Sequence, residues 1–105
     1  MSNNSYYVFF SNLASELRIK IISELKKGKK SVSEISNILN IEQSKISHAL
    51  QNLRHCNIVN VEVQGKNRIY SLNKDTIIPI LNLIDKHAKT FCKGRCCCKE
   101  KCEER

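Results

Sequence analysis

Leu13, Leu17, Ile21, Ile22 and Leu25 recur at the three- and four-residue spacing that lines one face of an α-helix, and the stretch closes on Lys26-Lys27-Gly28. Basic residues in a last turn, followed by a glycine suited to a left-handed C-cap, are stop signals, so the pattern predicts a helix over roughly 13–27. Ser31-Val32-Ser33-Glu34 has the form of a capping box, in which a hydroxyl and a carboxylate satisfy opposing backbone donors, and predicts a short helix over 31–39. After a break at Asn40-Ile41-Glu42, Ile46, Ala49, Leu50 and Leu53 resume the helical period. They predict a helix over about 43–56, with Asn57 placed to end it in the left-handed region. The period then drops to two. Val59, Val61 and Val63 alternate with polar residues, Gln64-Gly65-Lys66-Asn67 reads as a turn, and Tyr70 and Leu72 alternate behind it, giving a two-stranded hairpin. From Asp75 the helical period returns through Ile77, Ile78, Ile80, Leu81, Leu83, Ile84, Ala88 and Phe91, with Pro79 early enough that its missing N–H is tolerated.

Two short helices joined by a tight break form a helix-turn-helix, whose second helix can enter the major groove while the first braces it. In that second helix Gln43, Ser44, Lys45, Ser47, His48 and Gln51 present hydrogen-bonding groups on one side, while Ile46, Ala49, Leu50 and Leu53 fall on the other. Taken alone, that polar face is equally the solvated side of any amphipathic helix. The order along the chain decides otherwise: a capped helix, a tight break, a polar-faced helix, a hairpin and an apolar closing helix together suit one DNA-binding architecture. The expected fold is mainly α with a small β-hairpin wing (α+β), a dimeric winged helix-turn-helix.

Length and charge narrow the reading. The 105 residues fit one folded domain, expected over 1–91, followed by a Cys-rich basic tail over 92–105. Eighteen Lys and Arg against ten Asp and Glu give a formal charge of +8, which favours a polyanionic partner without separating DNA, RNA and anionic membrane. No run of 18 apolar residues occurs, and Met1-Ser2-Asn3-Asn4-Ser5 lacks the pattern of an export signal, so a cytoplasmic protein with no membrane partner is expected. There is no Gly-rich phosphate loop, no nucleophile motif and no acidic set around the histidines, and an enzyme is not expected.

The chain resembles the arsenic-repressor (ArsR/SmtB) family of winged-helix regulators over about residues 9–91. The resemblance rests on Leu13 through Ile22, Ile35 through Leu39, Gln43-Ser44-Lys45-Ile46-Ser47-His48-Ala49-Leu50, Leu53-Arg54 and Arg68-Ile69-Tyr70-Ser71-Leu72. It implies a homodimer clasped by its first and last helices, bound to an inverted-repeat operator in double-stranded DNA and released by a metal ion or other inducer. It also implies that Gln43, Ser44, Lys45, Ser47 and His48 read major-groove edges, and that Lys66 and Arg68 in the wing lie near phosphates. A dimer agrees with geometry, since one helix per half-site needs a partner about 34 Å away. Tyr6, Tyr7, Phe9, Phe10, Ile77, Ile80, Leu81, Ile84 and Phe91 offer apolar surface for it.

Six cysteines stand at 56, 92, 96, 97, 98 and 102, five of them within the last 14 residues. One short polar segment is not a disulfide framework, and its thiols read as metal ligands or redox groups. Cys92, Cys96, Cys97, Cys98 and Cys102 are soft ligands suited to Zn(II), Cd(II), Pb(II), Cu(I) or As(III), and the neighbouring Lys and Arg favour their thiolates. No cofactor is required for the fold. The resemblance implies that such an ion would act as an effector that ends repression. A thiol redox switch, a metal-buffering role and a constitutive DNA-binding or chromatin protein without metal response remain alternatives. The zinc pair that the resemblance brings to the last helices is half present: Asp85-Lys86-His87 keeps the first half, whereas Cys98 and Lys101 stand where its second half would fall. Cys56 reads as buried packing, and His55 as exposed.

Overall fold

The computed structural model describes residues 3–92. It contains a helix that the apolar spacing did not predict, α1 (Asn3–Leu13), where Tyr6-Tyr7-Val8-Phe9-Phe10 is a run rather than a stripe. The helix expected from residue 13 therefore starts later, as α2 (Glu16–Lys27). Its N-cap is Ser15, whose extended backbone turns Oγ to accept the Arg18 N–H. Gly28 ends α2 at φ 157° and ψ 162°, a region effectively restricted to glycine, rather than in the expected left-handed conformation.

The chain forms two compact units that divide after Asn73. In the first unit, Ser31 and Glu34 form the expected capping box, at 3.2 Å from the Glu34 N–H to Ser31 Oγ and 2.8 Å from the Ser31 N–H to Glu34 Oε1. It opens α3 (Val32–Leu39). Asn40 then takes the left-handed conformation at φ 58°, and the Ser36 hydroxyl donates to the Ile41 carbonyl at 2.5 Å, tying the break that leads into α4 (Gln43–His55). Asn57, at φ 59°, reverses the chain as its position suggested.

The hairpin comprises β2 (Val59–Gln64) and β3 (Asn67–Leu72), joined by Gly65-Lys66 with Gly65 at φ 64°, which a side-chain-bearing residue adopts at a cost. Its register runs from Val59 opposite Leu72 to Gln64 opposite Asn67. The sheet has a third strand beyond the expected two: β1 (Lys30–Ser31) pairs antiparallel with β3, giving the order β1-β3-β2. Ile21, Ile22 and Leu25 of α2, Ile35 of α3, Ile46, Ala49, Leu50 and Leu53 of α4, and Ile58, Val59, Tyr70 and Leu72 are all buried and make the core. Burial fades along β2, from buried Val59 through half-buried Val61 to Val63 at 67% exposed, so the alternating valines are core residues only at the base of the wing.

The second unit contains α5 (Ile77–His87), followed by a π-helical turn over Ala88–Cys92. Pro79 is its third residue, where no helical hydrogen bond is lost. Ile77 is buried, which removes it from the residues expected to face a partner, while Leu83, Ile84 and Phe91 are exposed. No described helix is long and apolar enough to cross a membrane.

The capping box makes a direct prediction. Ser31→Ala removes one of its two bonds and is expected to cost about 1 kcal/mol, read as a lower urea midpoint at unchanged m-value.

Candidate nucleic-acid interface

The candidate residues of α4 are placed by its buried stripe. With Ile46, Ala49, Leu50 and Leu53 turned into the core, Gln43, Ser44, Lys45, His48 and Gln51 are exposed and Ser47 is half-buried. Ser44, Ser47, His48 and Gln51 recur at three- and four-residue spacing, so they share one face of the helix.

Two grooves flank this face. One, of about 410 Å³, is lined by Ser33 at the start of α3, Gln43, Ser44 and Ser47 of α4, and Lys66 and Arg68 of the wing. It brings together the residues that the sequence singled out in the second helix and in the hairpin, although more than 18 positions separate them along the chain. Across its floor Gln43 Nε2 donates to Ser33 Oγ at 3.3 Å, leaving the Gln43 carbonyl oxygen open. The second groove, of about 340 Å³, lies on the other flank, between Ser15 and Arg18 of α2 and Lys45, His48 and Asn52 of α4. Arg18 is steadied there by bonds from Nη1 to Asn12 Oδ1 at 2.9 Å and to the Asn12 carbonyl at 3.3 Å.

No acidic side chain lines either groove. Among the described residues, the side chains of Lys45, Lys66 and Arg68 make no ion pair, whereas three glutamates elsewhere have lysine partners, Glu16 with Lys20 at 3.6 Å, Glu24 with Lys27 at 3.2 Å and Glu62 with Lys29 at 4.0 Å, and Glu42 at the start of α4 has none. The surface is thus rich in donors and uncompensated cations, which suits an extended polyanion better than a small neutral ligand. Ser33, Arg18 and Asn52 escaped the sequence reading. Ser33 carried a signal only as part of the capping box, and Arg18 and Asn52 carried none.

The expected metal ligands fall elsewhere. Cys96, Cys97, Cys98, Cys102 and the Cys92 side chain lie outside the described residues. Among the described residues no three His, Cys, Asp or Glu converge as a metal site. Asp85 and His87 are both exposed on α5, where the His87 ring leans on Phe91 at 4.8 Å. Cys56, at the end of α4, is half-buried rather than enclosed, and His55 is exposed.

Comparison with known proteins agrees with this geometry. A family profile described as bacterial regulatory protein, arsR family, matches residues 15–61, from the N-cap of α2 into the wing. The arsenical resistance operon repressor of Bacillus subtilis (strain 168) is 32% identical over 74 residues, covering 70% of each chain. The crystal structure of Mycobacterium tuberculosis Rv0081 superposes with a TM-score of 0.76 at 28% identity, covering 88% of this chain and 96% of that one. The homodimeric winged helix-turn-helix DNA-binding domain Mb0332 of Mycobacterium bovis shares the fold at a TM-score of 0.71 and 18% identity, covering 87% of this chain and 90% of that one.

Proposed function

From the premise that this chain belongs to the bacterial arsR family of regulatory proteins, we propose that it is a DNA-binding transcriptional repressor, held on an inverted-repeat operator as a homodimer and released by a soft metal or metalloid ion. The observation that carries the DNA reading is the acid-free groove where α4 meets the wing, with Gln43, Ser44 and Ser47 on one wall and Lys66 and Arg68 on the other. An α-helix fits the major groove, and side chains on one face of it meet base edges.

Gln43, Ser44, Lys45, Ser47, His48 and Gln51 read those edges, while α3 braces α4 against the backbone. Lys66 and Arg68 neutralise phosphates and release counterions, which supplies affinity and little sequence preference. Each unit offers apolar surface that a second copy would cover: Tyr6, Tyr7 and Phe10 on α1, and Leu83, Ile84 and Phe91 after Asn73. A dimer then presents two copies of α4 to two half-sites.

Three or four thiolates from Cys92, Cys96, Cys97, Cys98 and Cys102 would hold Zn(II), Cd(II), Pb(II), Cu(I) or As(III), since soft sulfur donors favour those ions. The name of the Bacillus subtilis relative, a repressor of arsenical resistance, supports a metalloid within this set. The tail continues from the segment proposed to join protomers, so ligation there changes the spacing of the two α4 helices. By linkage the ion and the operator then weaken each other reciprocally.

Ser47→Ala and His48→Ala are each expected to weaken operator binding by about 1–3 kcal/mol in fluorescence anisotropy at fixed salt. Unchanged affinity in both variants would remove α4 from the interface. In sedimentation the chain is expected to run as a dimer at micromolar concentration, and a monomer throughout that range would contradict the assembly. Titration of the reduced protein on its operator with each ion in turn should lower affinity for at least one, by about 5- to 150-fold as typical couplings go. Replacing the five tail cysteines by serine should abolish the response. A response that survives the replacement, or none with any ion, would remove the tail as sensor while leaving DNA binding in place.

A further inference from the structure

Arg68 stands where two grooves meet. Besides the groove shared with Gln43 and Lys66, it lines a separate one of about 500 Å³, bounded by Gln51, Arg54 and His55 of α4 and by Arg68 and Tyr70 of β3. Arg68 and Tyr70 are two apart on a strand and therefore share a face of the sheet. The groove thus joins the last turn of α4 to the inner part of the wing.

Four observations give it a chemistry. No acidic side chain lines it. The side chains of Arg54, His55 and Arg68 are exposed, and none has an ion pair or hydrogen bond with a described residue. Tyr70 is only 2% exposed, and its phenol has no hydrogen-bond partner among the described residues. No buried side-chain oxygen or nitrogen in the first unit is sealed without a partner, so the unpartnered Tyr70 hydroxyl keeps some accessible surface, and Tyr70 lines this groove. A buried tyrosine ordinarily directs its hydroxyl to a partner, and the groove that Tyr70 lines also carries the two arginines Arg54 and Arg68.

The helix end works against an anion, since a C-terminus carries roughly half a negative charge. Two arginines exceed that fourfold and leave the groove positive. We propose that this groove is an anion site that takes one phosphodiester of bound DNA, with Arg54 and Arg68 as charge-assisted donors and the Tyr70 hydroxyl as a neutral third donor. The inference rests on the DNA-binding reading above. It adds Arg54 and Tyr70 to the interface and gives Arg68 a positioning role: by contacting both grooves, it sets the wing in register with α4 on the backbone. Guanidinium groups pair with phosphate in bidentate fashion, which a lysine at position 54 could not reproduce.

The test measures salt dependence with the full chain. The probe is a mixed-sequence DNA duplex about 30 base pairs long, enough for two half-sites one helical turn apart. Affinity is followed by anisotropy between about 50 and 200 mM salt. Arg54→Gln is expected to flatten the slope of log K against log salt by about 0.9 per bound protomer, and to weaken binding about tenfold at the low-salt end. Tyr70→Phe keeps the buried ring and the charge, so it should weaken binding several-fold with the slope unchanged. Lys20→Gln, on a lysine already paired with Glu16, should behave as wild type. Circular dichroism of each variant verifies the fold.

Isothermal titration with inorganic phosphate in the absence of DNA is expected to show no saturable binding. Saturable binding that Arg54→Gln abolishes, together with an unchanged DNA slope, would assign the groove to a free oxyanion and overturn the proposal. Wild-type protein that binds no duplex would overturn the DNA-binding reading itself. Binding by wild type with slope and affinity both preserved in Arg54→Gln would overturn the phosphate site alone.

Discussion

The apolar stripe of α4 sets the position of the rest of the proposed interface. Ile46, Leu50 and Leu53 have no exposed surface, and Ala49 retains 5%. Burying a large aliphatic side chain contributes about 1.5–3 kcal/mol, whereas an isolated helix of this length is marginal in water. The helix therefore exists because it is packed, and the packing fixes which side faces out. Successive residues turn by about 100°, so a stripe displaced by one position would carry Ser44 and Ser47 away from the wing. Core composition and the proposed readout face are two sides of one constraint.

The turn before α4 and the sheet beside it complete the frame. Left-handed Asn40 and the Ser36 hydroxyl on the Ile41 carbonyl set how α3 meets α4, while β3, held between β1 and β2, carries Arg68 beside the helix. Charge is distributed to match. Glu16, Glu24 and Glu62 have lysine partners, and the cations near α4 do not. Lys45, Lys66 and Arg68, part of the net +8, therefore line grooves that hold no acidic side chain. In the proposed complex, backbone contacts of this kind would give affinity that falls with salt, and the short polar side chains of α4 would add discrimination between bases.

Much of this was legible in the sequence wherever side chains carry the periodicity. The stripes of α2 and α4, the capping box at Ser31, the reversal at Asn57 and the hairpin about Gly65 are all local signals, and the structure has each of them. What was missed lacks such a signal. The apolar residues of α1 are consecutive, and β1 is two residues long and joins the sheet through its backbone. Ile77 and Val63 fit an apolar period but end in opposite environments, one buried and one exposed near the wing tip, because burial depends on what packs above them. Among the residues of the proposed interface, Gln43 through Gln51 stood out as a polar face. Ser33, Arg18, Arg54 and Tyr70 did not, since their placement depends on grooves that only the tertiary fold creates.

An amide NMR titration of the intact chain with duplex DNA reports, residue by residue, whether α4 and the wing meet nucleic acid. Perturbations concentrated at Gln43–Gln51 and at Lys66–Arg68, with the buried faces of α2 and α3 little affected, are the expected result. Perturbations confined to residues after Asn73, or spread evenly over the surface lysines, would contradict a readout face built on α4.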